Sequence, residues 1–183
     1  MVIWIVLAVV AVVLLWAVAV YNGLVRRKNM VAEAWSGIDT QLKRRADLIP
    51  NLVQTVQGYA THERTTFDEL ARLRSEGQGQ TDPAQRAQTE QAITAAIGKV
   101  MAVAEAYPEL QASEGFRQLQ TELSGIEDQI QLARRYYNAT ARDFNVAIQQ
   151  FPSNMIAGFG GFTAAPFFQA DDADRAVPKV SFS

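Results

Sequence analysis

The first 20 residues of this chain are all apolar, and this feature constrains its fold more than any other. Val2 to Val20 contain no glycine, proline or charge, and as a helix they would span roughly 28 Å, close to the hydrocarbon thickness of a bilayer. Trp4 lies near one end of the run, and Trp16 and Tyr21 lie near the other, where amphipathic rings favour the membrane interface. The sequence therefore predicts a transmembrane helix.

A cleaved signal peptide is the competing interpretation, because Ala17-Val18-Ala19 resembles a cleavage site. The segment has no basic n-region, however, and its apolar core is longer than that of a signal peptide. We therefore expect an uncleaved anchor over residues 1–21.

The basic residues lie on one side of the anchor. Only Met1 precedes the apolar run, whereas Arg26, Arg27 and Lys28 follow it closely. The positive-inside rule predicts an N-terminus outside and a cytoplasmic domain after the anchor. These three cations could also hold anionic lipid head groups, although we favour the interpretation that they only set topology.

Composition excludes several kinds of chemistry. The chain has no cysteine, which excludes disulfides, thiolate metal sites and a cysteine nucleophile. Its formal net charge of −2 argues against a nucleic-acid partner, which would favour a basic protein.

After the anchor, apolar residues recur with the alternating 3–4 spacing of a helix-bundle seam. The clearest seam belongs to a helix predicted over about 112–150. Its members are Phe116, Leu119, Leu123, Ile126, Ile130, Ala133, Tyr137, Phe144, Ala147 and Phe151, with Thr140 in the one polar slot.

The preceding helix is predicted to begin at Thr81-Asp82-Pro83, an N-cap followed by proline, and to stop before Pro108. Its seam comprises Ile93, Ile97, Val100, Ala104 and Tyr107. Residues 75–80 read as a loop.

The upstream seams comprise Val31, Trp35, Ile38, Leu42 and Ile49, and then Leu52, Val56, Tyr59, Phe67 and Leu70. Pro50 lies between them. The apolar phase carries across Pro50, which suits a kinked continuous helix. Helices at about 24–47, 51–75 and 83–107 would instead have nearly equal lengths, which suits a turn and an antiparallel up-down four-helix bundle. We favour the turn, because an interior proline costs about 3 kcal/mol.

We expect the first helix to continue from the anchor without a break, and the all-α bundle domain to occupy residues 22–152. Residues 153–183 lose the periodicity and read as an irregular Gly/Phe-rich tail. An acidic patch lies at Asp171, Asp172 and Asp174, and residues 177–182 alternate like a short strand. The tail either folds back on the bundle, which we favour, or docks a partner through Phe159, Phe162, Phe167 and Phe168.

A search for catalytic motifs finds little. His62 is the chain's single histidine and reads as a helix-surface residue, since no second histidine could complete a zinc motif. Arg45 and Glu63 fall at seam positions. They could pair inside the bundle or mark its frayed ends, and we favour the ends because buried ion pairs are costly. We expect no catalytic residue, metal or cofactor.

Several motifs together resemble the LemA family. They are YNGLV at 21–25, AWSGID at 34–39, QLKRRADLIPNLV at 41–53, GYA at 58–60, AEAYPEL at 104–110 and FPSN at 151–154. The resemblance covers nearly the whole chain. It implies a single-pass protein of the bacterial cytoplasmic membrane, with the N-terminus outside, a helical cytoplasmic domain and no established enzymatic activity.

The resemblance also implies a four-helix bundle, and thus supports the turn at Pro50. The signature residues Lys43, Arg44, Arg45, Asp47, Pro50 and Asn51 would then serve that turn and the bundle end. Members of the family are often encoded near membrane metalloproteases, which suggests such a protease as a partner.

These observations favour a non-enzymatic, membrane-anchored scaffold or adaptor that organises a partner or itself at the cytoplasmic face. Membrane lipid and further copies of the chain are the expected partners. The alternative is a regulatory or substrate-presenting module of a membrane protease or envelope-stress system.

Overall fold

The computed structural model describes residues 1–60 and 62–168, and all regular secondary structure within them is helical. Six helices follow one another: α1 Val2–Gln57, α2 Arg64–Gln78, α3 Pro83–Glu105, α4 Pro108–Ala112, α5 Glu114–Gln149 and α6 Ser153–Phe159. The predicted all-α class is confirmed for these residues. The antiparallel four-helix arrangement stays a prediction.

The chain divides into two compact units, which are described separately. Unit 1 contains Met1–Ile38 and Ala133–Phe167. Unit 2 contains Asp39–Leu132 together with Phe168. Both α1 and α5 therefore contribute residues to each unit.

Helix α1 runs unbroken from the apolar segment into the folded part of the chain, as expected. Residues 2–16 are exposed, and the first fully buried side chain along α1 is Leu24. Among the described residues, α1 is the one helix that is long and apolar enough to cross a membrane.

The favoured turn at Pro50 is wrong, because Pro50 lies inside α1. The pyrrolidine ring is exposed, whereas Ile49 and Leu52 are buried on the other side of the helix. The apolar phase that carries across Pro50 was therefore the better guide, since burying this face outweighs the local cost of proline.

Because α1 continues to Gln57, the first connection falls at 58–63 and α2 begins only at Arg64. His62 lies exposed in this connection, not on a helix surface as predicted. Helix α2 also extends to Gln78, into the segment predicted as a loop.

The start of α3 is confirmed in detail. Asp82 Oδ1 accepts hydrogen bonds from the backbone N–H groups of Ala84 (3.0 Å) and Gln85 (2.9 Å), and Pro83 occupies the first turn. Helix α3 ends at Glu105, and a short helix α4 precedes α5, which begins at Glu114.

The core of unit 2 is built from the predicted seams of α1, α2, α3 and α5, together with Leu110 of α4, which the seams did not include. Its largest fully buried side chains are those of Leu42, Ile49, Leu52, Leu70, Ile93, Leu110, Val56 and Val100. Two predicted seam residues are exposed instead. Tyr59 lies past the end of α1, and Phe151 lies past the end of α5, so neither follows the helical phase.

Unit 1 packs the lower-numbered half of α1 against the C-terminal half of α5. Its buried side chains are those of Leu24, Val31, Ala34, Ile38, Tyr137, Ala141, Phe144 and Ala157. In the described part of the segment predicted to be irregular, residues 153–168, there is one regular element, helix α6. The predicted strand at 177–182 and the acidic patch lie outside the described residues.

Candidate functional site

The most unusual feature of unit 2 is a group of charged side chains inside its core. We call this group the charge cluster; it comprises Arg45 of α1, Arg86 and Glu90 of α3, and Glu127 of α5. The side chains of Arg45, Arg86 and Glu90 are almost completely buried, whereas about a third of the Glu127 side chain is exposed.

The guanidinium of Arg45 joins two other helices of the unit. Its Nη1 donates to Glu127 Oε2 (2.5 Å) and to Thr94 Oγ1 (2.8 Å). Its Nη2 donates to Glu90 Oε2 (2.5 Å) and to the Glu90 carbonyl oxygen (3.2 Å). The planar fork of arginine suits this arrangement, because each end of the fork can serve a different carboxylate.

Glu90 also receives a second cation. Arg86 Nε lies 2.7 Å from Glu90 Oε1, as an ion pair without the alignment of a hydrogen bond. The last turn of α2 covers this side of the cluster through Gly77. A Cβ at that position would lie in van der Waals contact with Glu90 Oε1 (3.4 Å) and Arg86 Cζ (3.5 Å), so α2 packs directly against the ion pair.

The charge cluster contains two cations and two anions, so its formal charges cancel. Taking these groups out of water is costly, and their mutual attraction offsets that cost only when the geometry is good. The side chains of Arg45, Arg86 and Glu90 are enclosed, and their charges are paired within the cluster. What it can do is fix the relative register of α1, α3 and α5 within unit 2.

Sequence reasoning found one member of the charge cluster and misjudged its place. Arg45 was expected to mark a frayed end, but it is buried and paired. Glu63, its suggested partner, is exposed at the start of α2. Glu90, Arg86 and Glu127 were missed. The signal for Arg45 was its seam position, whereas its partners lie 45 and 82 positions farther along the chain.

A second contact of unit 2 explains how α1 tolerates its proline. Pro50 has no N–H, so the carbonyl of Ala46, four residues earlier, loses its helical donor. Arg74 of α2 replaces that donor, because its Nε donates to the Ala46 carbonyl oxygen at 2.6 Å. The signature segment therefore serves a continuous helix and its junction with α2, and not a turn.

The other signature residues lie on the surface of α1. Lys43 pairs with Asp39 at 2.6 Å, and Asn51 accepts a hydrogen bond at its carbonyl oxygen from Thr55 Oγ1. Arg44 and Asp47 border a groove of about 450 Å³ between α1 and α5 of unit 2. The remaining residues that line it are Leu48, Glu122, Gly125, Ile126 and Gln129.

In unit 1, the aromatic segment after α6 folds back onto the helices. The Phe162 ring lies 5.5 Å from that of Tyr21 and 6.3 Å from that of Phe144, measured between ring centroids. Asn145 clamps the backbone of Ala165 through two hydrogen bonds, from its Nδ2 to the carbonyl oxygen (2.9 Å) and from the Ala165 N–H to its Oδ1 (2.8 Å). Tyr137 Oη donates to the Pro166 carbonyl oxygen at 2.7 Å.

The four phenylalanines proposed for partner docking therefore have different environments. Phe162 is half-buried and Phe168 is buried, whereas Phe159 is almost fully exposed and Phe167 is partly exposed. The basic residues Arg26, Arg27 and Lys28 are all exposed on α1. Among the described residues, no group of three or more histidine, aspartate or glutamate side chains could hold a metal ion.

Comparisons with known proteins find relatives that match most of this chain. Protein LemA of Metamycoplasma hominis is 30% identical over 155 residues, which cover 84% of this chain and 71% of that protein. Magnetosome protein MamQ 1 of Paramagnetospirillum magneticum is 28% identical over 180 residues, which cover 84% of this chain.

The MamQ relatives are longer than the matched region. The match covers 66% of the P. magneticum protein and 70% of magnetosome protein MamQ of Magnetospirillum gryphiswaldense, which is 26% identical. The chain thus spans about two thirds of the length of the MamQ proteins it matches. The sequence model of the LemA family matches residues 34–182, which include the charge cluster, Pro50 and Arg74, and the chain therefore belongs to the LemA family.

Proposed function

We propose that this protein is a membrane-anchored scaffold or adaptor that organises a partner, or further copies of itself, at the cytoplasmic face of a membrane. The observation that carries the proposal is the continuity of α1. One helix includes the exposed apolar run Val2–Val20 and then the buried residues Leu24, Val31 and Ala34 of unit 1. Unit 1 is thus built directly on the membrane segment, without a flexible linker between them.

The enclosed charge cluster supports a role in which unit 2 presents a surface of fixed shape. Its ion pairs tie three helices together, and polar contacts of this kind favour one packing register over others. A rigid surface loses little conformational entropy on binding, which favours the recruitment of a partner.

In-cell cross-linking tests the proposal. A photoreactive amino acid would replace Gln129, which lines the groove between α1 and α5, in the full-length chain. A matched control would carry it at Gln118, an exposed glutamine of the same helix that does not line the groove. We expect position 129 to give a discrete cross-linked product from the membrane fraction, and position 118 to give much less.

The product's identity separates the two functions. Twice the mass of the chain would show self-association, and a different non-protease protein would show an adaptor. A membrane protease at position 129 would instead support the alternative, a regulatory or substrate-presenting module. The same background at both positions would contradict the proposal, as would recovery of the chain in the soluble fraction after alkaline carbonate washing.

A further inference from the structure

Helix α6 and the residue before its proline present an exposed apolar stripe. The exposed fractions of Phe151, Met155 and Phe159 are 76%, 56% and 91%. Met155 and Phe159 are four residues apart in α6 and therefore lie along one side of that helix, whereas Phe151 precedes the helix by two residues. Ala157, on the opposite side of α6, is buried in unit 1. The stripe, defined by these three side chains, therefore faces away from the unit.

The stripe lies close to the end of the membrane segment. Phe162, whose N–H donates to the Ala157 carbonyl oxygen at 3.1 Å, packs its ring against Tyr21. Tyr21 is the first residue after the apolar run Val2–Val20. Ala17 and Val20 are half-buried, whereas residues 2–16 are exposed, so the contact of unit 1 with α1 begins in the last turn of the run.

The ring contacts between α1 and α5 also place the stripe near Tyr21. Tyr137 of α5 packs its ring against Trp35 of α1 at 5.6 Å, and Phe144, farther along α5, shares Phe162 with Tyr21. The order of these contacts is antiparallel within unit 1. The end of α5 at Gln149, and with it the start of the stripe, therefore lies near the level of Tyr21.

The charge pattern fits a lipid neighbour. Residues 144–170 contain no aspartate, glutamate, lysine, arginine or histidine, whereas Arg26, Arg27 and Lys28 follow the membrane segment on α1. Uncharged segments with aromatic residues suit the boundary between head groups and acyl chains, and cations suit the head groups beside it. A large aromatic side chain exposed to water has no such favourable contact.

We propose that the stripe of Phe151, Met155 and Phe159 inserts into the interface of the same bilayer that α1 crosses. The occupant of this surface is then lipid, and α6 forms a second membrane contact that holds unit 1 against the bilayer. This inference rests on the membrane anchoring proposed above. It replaces protein docking as the role of Phe159, one of the aromatic residues that the sequence suggested for a partner.

The absence of cysteine allows a direct test with the full-length chain in vesicles of phosphatidylcholine and phosphatidylglycerol. Single-cysteine variants Phe159→Cys, Tyr136→Cys and Leu14→Cys would each carry an environment-sensitive fluorophore. Tyr136 is the matched control, because it is an exposed aromatic residue of unit 1 and precedes Tyr137 in the chain. Tyr137 packs against Trp35, which lies about 20 Å along α1 from Tyr21. Leu14 reports on the anchor itself.

We expect iodide, a quencher in water, to act several-fold less on position 159 than on position 136. Brominated acyl chains should quench the fluorophore at position 159, and also that at position 14. In a second variant, Phe159→Asp, a fluorophore at position 155 should become as accessible to iodide as one at position 136. Thermal unfolding should not change, because the Phe159 side chain makes little contact with the rest of the protein.

Two outcomes would overturn the inference and leave the anchor intact, provided that position 14 is quenched by lipid. One is equal iodide quenching at positions 159 and 136. The other is shielding of position 159 from iodide without quenching by brominated lipid, which would show that another protein chain covers the stripe. Iodide access at position 14 would instead overturn the membrane anchoring on which the inference rests.

Discussion

Arg45 carries a full positive charge into the core of unit 2, where an unpaired charge would be very unfavourable. Four hydrogen bonds to Glu90, Glu127 and Thr94 use both terminal nitrogens of its guanidinium, while its Nε has no hydrogen-bond partner among the described residues. Desolvation of the four charged groups cancels much of their attraction. The charge cluster therefore contributes more to the choice of register than to net stability.

Removing Arg45 should nevertheless destabilise the protein strongly. In Arg45→Met, Glu127 loses its cation and Glu90 keeps only Arg86, so we expect the free energy of unfolding to fall by about 3–5 kcal/mol. Chemical denaturation of the full-length chain in detergent, followed by circular dichroism, would measure this. Arg44→Met is the matched control: its exposed side chain should change stability by less than about 0.5 kcal/mol. Equal effects of the two substitutions would contradict the buried network.

The two glutamates of the charge cluster should differ in importance. Glu90 is buried and serves Arg45 and Arg86, so Glu90→Gln leaves two buried cations with one anion and should cost about 3–5 kcal/mol of unfolding free energy. Glu127 is partly exposed and pairs with one cation, Arg45, while its Oε1 accepts a hydrogen bond from Gln131 Nε2, so Glu127→Gln should cost about 1 kcal/mol. The same denaturation experiment compares them, and a larger cost at Glu127 would contradict this ranking.

At the scale of single residues, the sequence predicts position better than partnership. Arg45 falls on the seam by its spacing, and burial follows from that spacing. Arg45 was expected at a frayed end of the bundle because burying an ion pair is generally costly. In this protein that cost is offset by partners that lie far along the chain. Nothing local to Glu90 or Glu127 indicates that they meet the same guanidinium, because that contact depends on how three helices pack.

At the scale of helices, local chemistry predicted the start of α3 and failed at Pro50. The Asp82-Pro83 cap uses groups within three residues of one another, so its geometry follows from the sequence alone. The cost of Pro50 also looks local, but it is reduced by Arg74, which lies on another helix and 28 positions away. A generic penalty for interior proline therefore gave the wrong boundary for α1.

The role of Arg74 gives a prediction that pairs two residues. Arg74→Met should cost about 1–3 kcal/mol of unfolding free energy, because it leaves the Ala46 carbonyl without a donor. In a Pro50→Ala background the new N–H at position 50 can bond to that carbonyl, so the same substitution should cost less than half as much. Chemical denaturation of the unmodified chain, the two single variants and the double variant forms a double-mutant cycle. We expect a coupling free energy of about 1 kcal/mol between positions 50 and 74.

A neighbouring arginine provides the control for this cycle. Arg72 lies on the same helix and pairs with Glu76 at 3.0 Å on the surface, so Arg72→Met should cost only a few tenths of a kcal/mol in either background. Additive effects of Pro50→Ala and Arg74→Met would mean that the Arg74 contact does not compensate for the proline.

At the scale of the whole molecule, one long helix places its apolar residues in two different environments. The run Val2–Val20 is exposed, whereas later apolar residues of α1 lie in the cores of units 1 and 2. The sequence predicted this difference, because a continuous apolar run and a seam with 3–4 spacing are different patterns. It did not show that the aromatic segment after α5 would divide into half-buried Phe162 and exposed Phe159, because that division depends on the return of the chain to Tyr21.

The distribution of basic residues predicts how the whole molecule is oriented. Arg26, Arg27 and Lys28 follow the apolar run closely, and the positive-inside rule then retains that side in the cytoplasm. Val2→Cys should react with a membrane-impermeant maleimide on intact cells, whereas Ser124→Cys, exposed in unit 2, should react only after the cells are opened. Replacing the three basic residues with glutamine should increase the fraction of chains in the reverse orientation, because it removes the nearest positive charges. Labelling at position 124 on intact cells would place unit 2 outside and reverse the topology on which the cytoplasmic scaffold depends.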